Sequence, residues 1–165
     1  MKKPIEKYIS EYSLALTKLC ISLTDRREDA EDLFQTTWEK AIRNIRRYDA
    51  EKPFEKWLFA ICVNTYRDKV RRYERGKIWK FPSAEEQEKV IISIPSEEKD
   101  ADTSIVLKDA VKKLTPPLRE AIVLYYYRGY SVLELAELLN IPEGTVKSRL
   151  STARKQLRKE LSEYE

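Results

Sequence analysis

Residues 131–155 read SVLELAELLNIPEGTVKSRLSTARK, and this stretch decides the fold. Ser131 followed three residues later by Glu134 is the reciprocal pattern that satisfies orphan N–H groups at a helix start. Val132, Leu135, Ala136 and Leu139 then recur at helical spacing, which predicts a short helix over 131–139. Asn140-Ile141-Pro142-Glu143-Gly144 reads as a tight turn. Asparagine tolerates the left-handed backbone that such a turn requires, and Ile141 serves as its apolar plug. In the helix that follows, Val146, Leu150, Ala153, Leu157 and Leu161 are spaced by 4, 3, 4 and 4 residues. The small Ala136 lets the two helices cross closely. The layout is that of a helix-turn-helix, whose second helix offers a polar face to a major groove. That face carries Thr145, Lys147, Ser148, Arg149, Ser151, Thr152 and Lys155. Lysine and arginine reach guanine edges or phosphates, serine and threonine are short enough for close backbone approach, and a helix N-terminus favours a phosphate. A helical hairpin with a merely charged exterior is the competing reading. Turn chemistry and polar face together favour DNA.

Charge distribution supports the same choice. The 165-residue chain has a formal net charge of only +4, but residues 144–161 hold six Lys and Arg against one Glu. Residues 76–105 hold four Lys against seven Asp and Glu. A basic run on a helix is the electrostatic footprint of a phosphate-backbone binder. Three glycines in the whole chain disfavour a turn-rich β fold and a Gly-lined nucleotide site. The chain contains no histidine, which removes the commonest general base, and no carboxylate or lysine set has catalytic spacing. No catalytic residue, metal ligand set or cofactor is therefore predicted. Cys20 and Cys62 cannot make a standard zinc site without histidine, and buried, reduced thiols are expected. No signal-like or membrane-spanning apolar run is found, so a cytoplasmic protein is expected.

Upstream, the pattern predicts further helices. The first spans Ile5 to Leu23. A second follows Asp25, read as an N-cap with Glu28 as its reciprocal partner, and turns Ala30, Leu33, Phe34, Thr37, Trp38, Ala41 and Ile42 inward. Its opposite face carries Asp29, Asp32, Gln35, Thr36 and Glu39. After a break at Tyr48–Pro53 a third helix starts near Pro53, burying Phe54, Trp57, Leu58, Ile61, Cys62 and Thr65 and turning basic at Arg67, Lys69, Arg71, Arg72 and Arg75. From Gly76 to about Thr103 the pattern fades, which predicts a linker in which Ile91, Ile92 and Ile94 form at most a short docking element. Helices over Ile105–Leu114 and Leu118–Arg128 precede the helix-turn-helix, with Gly129 at the left-handed position that ends the second. The expected class is all-α: two small helical domains, 1–76 and 104–165, joined by a flexible linker over 77–103.

Several runs carry a resemblance. Ala30-Glu31-Asp32-Leu33-Phe34-Gln35-Thr36-Thr37-Trp38 resembles the polymerase-binding motif of sigma factor region 2. The run Phe54 to Asn64, continued by Asp68 and Arg71-Arg72, resembles the helix after it. Leu114-Thr115-Pro116-Pro117-Leu118-Arg119-Glu120 and Gly144-Thr145-Val146-Lys147-Ser148-Arg149 resemble region 4. Their order is that of the extracytoplasmic-function (ECF) sigma factors of the sigma-70 family, which keep only regions 2 and 4. The resemblance implies three surfaces. Asp29, Asp32, Leu33, Gln35, Thr36 and Glu39 would bind the coiled coil of the largest subunit of RNA polymerase core. Tyr48, Lys52, Asn64, Arg67, Asp68, Arg71 and Arg72 would read the −10 element, the loop of about Ile45–Lys52 holding a flipped base. Tyr48 fits either a stacking platform for that base or a core aromatic at a helix end. The recognition helix would read the −35 element of promoter DNA. The resemblance also implies a membrane-associated anti-sigma factor that holds the chain inactive, and no membrane insertion of the chain itself.

Other classes explain less. A helix-turn-helix regulator acting without polymerase accounts for 104–165 but leaves the two N-terminal motifs unexplained. A helical adaptor would make the basic faces incidental. A metal-dependent nuclease on Asp29, Glu31 and Asp32 lacks a second ligand cluster, and Glu31 points away from the other two on a helix.

Overall fold

The structure is a computed structural model and describes residues 2–75 and 101–163. Every regular element among them is helical, in agreement with the all-α reading. They fall into two compact units.

The first unit is a three-helix bundle. α1 (Ile5–Leu23), α2 (Arg27–Asn44) and α3 (Phe54–Glu74) each pack on the other two, and a 3₁₀ turn, Ile45–Arg47, follows α2. α1 stops where the hydroxyl and the amide of Thr24 both donate to the Cys20 carbonyl, at 2.7 and 3.1 Å. Asp25 is not the cap of α2. Thr24 and Asp25 turn into the protein, and the cap position falls to Arg26, whose side chain caps nothing. α3 starts one residue after Pro53, whose fixed φ suits the extended cap position.

Leu16, Leu19 and Leu23 of α1, Leu33 and Ala41 of α2, and Leu58, Phe59, Val63 and Tyr66 of α3 fill the bundle. Phe59, Val63 and Tyr66 widen the buried face of α3 beyond the predicted stripe, while Trp57 and Ile61 lie half-buried at its edge. Ile42, expected inside, is exposed on the last turn of α2. An aromatic cluster closes the open end. Phe54 stacks on Tyr8 at 4.0 Å and meets Tyr48, Tyr12 and Trp57 at 5.1–5.5 Å. Cys20 and Cys62 are buried side by side with sulfurs 3.8 Å apart. Their mutual hydrogen bond, with burial second, pushes the Cys20 thiol far up.

The second unit is built around its last helix. α4 (Ala101–Lys112), α5 (Pro116–Ile122) and α6 (Val132–Leu139) all pack on α7 (Glu143–Ser162). α4 begins inside the predicted linker, because residues 101–103 are already helical. The expectations for 77–100, including docking by Ile91, Ile92 and Ile94, lie outside the described residues. α5 begins at Pro116, two residues earlier than predicted, since a first-turn proline loses no hydrogen bond. The buried Arg119 donates to the carbonyls of Lys112 and Leu114, stapling α5 to the end of α4. After Ile122 the helix widens into a π turn, Val123–Tyr127, and ends through Gly129 at φ +72°. The Tyr130 amide then reaches back to the Leu124 carbonyl at 3.0 Å.

The helix-turn-helix has the predicted joints. Ser131 and Glu134 form the reciprocal capping box, at 3.1 and 3.2 Å. Asn140 takes the left-handed conformation, φ 55°. The amides of Ile141 and Asn140 bond to the carbonyls of Ala136 and Glu137 at 3.0 and 3.4 Å, the crossed pair of a Schellman motif. Ser131→Ala is expected to destabilise the second unit by about 1 kcal/mol. Asn140→Ala should cost about 1–2 kcal/mol, and Asn140→Gly nothing measurable. Urea unfolding followed by circular dichroism checks this series, and equal losses for the two Asn140 variants would contradict it.

Candidate functional site

On α7 the core takes one face and leaves the rest to solvent. Val146, Leu150, Ala153 and Leu157 are buried, whereas Lys147, Ser148, Ser151, Thr152 and Lys155 are exposed. Gly144, Ser148, Ser151 and Lys155 fall at i, i+4, i+7 and i+11, one row opposite the buried stripe. A Cβ at Gly144 would meet nothing within 4 Å, so the backbone at the head of this row is open. Thr145 and Arg149 are half-buried and flank the row. All seven predicted residues of this helix thus lie on or beside one polar surface.

Arg154 is turned elsewhere. Its Nε donates to the Tyr126 hydroxyl at 2.6 Å, and its guanidinium lies 5.5 Å from the Tyr126 ring centre. With Leu107, Val111, Ile122, Leu157 and Leu161 these two residues line an apolar groove of about 400 Å³. No sequence signal marked this groove, because it is shared by three helices distant in the chain.

On α3, Asn64, Arg67, Asp68 and Arg71 recur at i, i+3, i+4 and i+7 and form one stripe. Asn64, Asp68, Arg71 and Arg72 are exposed, and Arg67 is half-buried. Asp68 Oδ1 accepts from Arg71 Nη1 at 3.2 Å, which holds that guanidinium along the helix. Tyr48 is corrected to the second of its two readings. It is only 5% exposed, its ring is edge-on to Phe54 at 5.2 Å, and its hydroxyl donates to the Lys52 carbonyl at 2.5 Å. A ring so enclosed offers no face to a base. Its role is to pin the loop 48–53, whose turn Asp49 tightens by accepting the Glu51 amide at 3.0 Å. Lys52 is exposed at the end of that loop.

On α2, Asp32, Gln35 and Glu39 are exposed at i, i+3 and i+7, and Asp29 and Thr36 are half-buried beside them. Leu33 does not belong to this surface. It is fully buried in the bundle, as its place in the Ala30–Thr37–Ala41 stripe requires. The Asp32 carboxylate is ion-paired with the ammonium of Lys69 on α3. Burial lowers the Lys69 pKa, and the neighbouring Asp29 works against that shift. The sequence put Lys69 among the basic residues of α3 but gave no sign of a partner 37 positions away.

Comparison with known proteins matches both units. The family model described as Sigma-70 region 2 covers residues 8–76, and that described as Sigma-70, region 4 covers 104–157. The ECF RNA polymerase sigma factor SigW of Bacillus subtilis is 30% identical over 159 residues, covering 91% of this chain and 84% of that one. The chain belongs to the ECF sigma factors. SigE of Mycolicibacterium smegmatis is 32% identical over 162 residues, 96% of this chain but 62% of the longer relative. Among solved structures, the sigma factor RpoE in complex with the anti-sigma factor NepR from Bartonella quintana superposes with a TM-score of 0.77 at 27% identity, covering 96% of each chain. CnrH in complex with the cytosolic domain of CnrY gives 0.63 at 26% identity, covering 95% of this chain and 86% of that one.

Like other ECF sigma factors, the chain binds RNA polymerase core and directs promoter-specific initiation, and it is not an enzyme. The region 2 match accounts for the helices that a stand-alone regulator left unexplained. The nuclease reading falls with the same assignment, and Glu31 is held by Arg27 Nε at 3.1 Å. Among the described residues no helix is long and apolar enough to cross a membrane.

The Tyr48 placement is testable. Tyr48→Phe keeps the ring cluster and removes one hydrogen bond, at an expected cost of about 0.5–1.5 kcal/mol. Lys52→Ala should leave the melting temperature unchanged, since Lys52 contributes only its carbonyl to that bond. Thermal melts of the two variants decide, and a Tyr48→Phe protein as stable as the parent would refute the pinning role.

Proposed function

We propose that the chain divides promoter recognition between its two units. Residues 1–76 bind polymerase core and read the −10 element, 77–103 connect the units, and 104–165 read the −35 element. The observation that carries this reading is the exposed row of α7, which holds donors and a basic charge at the spacing of one helix face and little apolar surface. Thr145, Lys147, Ser148, Arg149, Ser151, Thr152 and Lys155 contact −35 duplex DNA. Lys147 and Arg149 supply base-edge or phosphate contacts, and the serines and threonines admit the sugar–phosphate backbone.

Asn64 reads a base edge of the −10 element, while Arg67, Arg71 and Arg72 hold phosphates, with Asp68 orienting Arg71. Lys52 adds a cation at the loop that takes the flipped base, and Tyr48 shapes that loop from beneath. On α2, Asp29, Asp32, Gln35, Thr36 and Glu39 meet the coiled coil of the largest polymerase subunit. Carboxylates and an amide in a row pair with arginines there and set orientation and on-rate more than raw affinity.

An anti-sigma factor holds the chain inactive until a signal releases it. Two solved relatives support this: the RpoE structure contains an anti-sigma factor, and the CnrH structure contains a cytosolic domain of CnrY. Its target on the second unit is the Tyr126 groove, whose apolar walls suit a protein helix better than DNA. The chain then acts in the cytoplasm, held near the membrane where that partner is membrane-bound.

Run-off transcription with bacterial core polymerase on genomic promoter fragments tests the whole reading. Specific starts should require both core and this protein. Lys147→Ala or Arg149→Ala should lower initiation roughly tenfold on promoters with a matched −35 element, the loss of about one base or phosphate contact. Promoters cut back to the −10 element should show no such difference. Asp32→Ala with Gln35→Ala should weaken core binding, measured by fluorescence anisotropy, without changing the melting temperature. Normal binding by that double variant would remove α2 from the polymerase interface.

A further inference from the structure

Lys69 lies on α3, the helix assigned to the −10 element, yet it is not exposed as Arg71, Arg72 and Arg75 are. Its side chain is 20% exposed and reaches across to Asp32 Oδ2 on α2. Asp29, one turn before Asp32, acts on the same ammonium and favours its charged form. A second tie crosses the same seam one turn earlier on α3, where Lys40 Nζ of α2 meets Thr65 Oγ1 at 3.0 Å. Asp32 nevertheless remains 59% exposed, so its carboxylate is held on one side and presented on the other.

From this arrangement we infer that Lys69 is a positioning residue for polymerase binding: it fixes the Asp32 carboxylate in the orientation that meets an arginine of the core enzyme. The inference rests on the assignment of the α2 face to polymerase. A carboxylate has about four lone-pair sites, so one ammonium leaves room for a bidentate guanidinium. An exposed aspartate without a tether samples several rotamers and loses that freedom on binding. A carboxylate already tied to a half-buried lysine has lost it in the folded chain. Net attraction between Lys69 and Asp32 across solvent is small by comparison, because exposed pairs are screened. The tether therefore favours association instead of competing with it. It also makes α3 part of the polymerase surface without touching the polymerase, so the −10 helix and the docking carboxylate share one fixed geometry.

The test is a double-mutant cycle on the full chain, with the Kd for core polymerase measured by fluorescence anisotropy. Lys69→Met keeps the aliphatic stem and removes the charge. It should weaken binding about two- to tenfold, the range expected for one side chain left to be ordered on association. Lys69→Arg should restore most of the affinity. In an Asp32→Ala background, Lys69→Met should have no further effect. Unchanged or tighter binding by Lys69→Met, while Asp32→Ala weakens binding, would overturn the positioning role and leave the α2 assignment standing. An equal loss from Lys69→Met with and without Asp32 would also overturn it, by showing a general effect on the bundle. If Asp32→Ala itself binds core normally, the α2 assignment fails and this inference fails with it. Should Lys69→Met lower the melting temperature, Lys69→Gln carries the same expectations.

Discussion

Phe54 stands in the first turn of α3 with its ring stacked on Tyr8 and edge-on to Tyr48. One side chain thereby ties α1, the loop before α3 and the start of α3 into a single cluster, which Trp38 of α2 joins at 6.3 Å. Aromatic rings bury large areas and have preferred mutual geometries, so a cluster of this size fixes direction as well as proximity. The course of α3 is set at this end. The −10 reading proposed for region 2 depends on that course, because Asn64, Arg67, Asp68 and Arg71 project from α3 at positions counted from Phe54. The second unit has a comparable dependence on α7, which supplies both the central core stripe and the exposed polar row. In each unit one helix is framework on one side and an exposed polar face on the other.

That dual use explains which parts of the sequence were legible. A helix with one buried face announces itself by spacing, so the stripes Ala30–Leu33–Thr37–Ala41 and Val146–Leu150–Ala153–Leu157 could be read directly, and their complements gave the candidate surfaces. Local chemistry was equally readable: the Ser131–Glu134 box, Gly129 and Asn140 each act within a few residues of themselves. The resemblance to the sigma family named Leu33 as a contact although the periodicity of α2 already placed it inside. Of the two signals, the periodicity was the physical one.

Features that depend on long-range packing were not legible. Tyr48 fits a stacking platform or a core aromatic equally well until Tyr8 and Phe54 are seen around it. Asp25 has the side chain of an N-cap, but the α1–α2 connection turns it inward. The π turn at Val123–Tyr127 packs on α5 and α6, and no local propensity expresses it. The Lys69–Asp32 pair and the Tyr126 groove join residues from separate helices, and a single sequence holds no record of such meetings.

The two cysteines carry one more consequence. Cys20 and Cys62 are the only cysteines in the chain, and both sulfurs sit inside the bundle, facing each other. Electrophilic dyes need an accessible sulfur, and neither native sulfur is accessible while the bundle is closed. A cysteine introduced on an exposed position of α7 or α2 would therefore take a fluorophore selectively against the native background. Its assembly with polymerase and DNA could then be followed by distance-dependent energy transfer, without first replacing residues of the core.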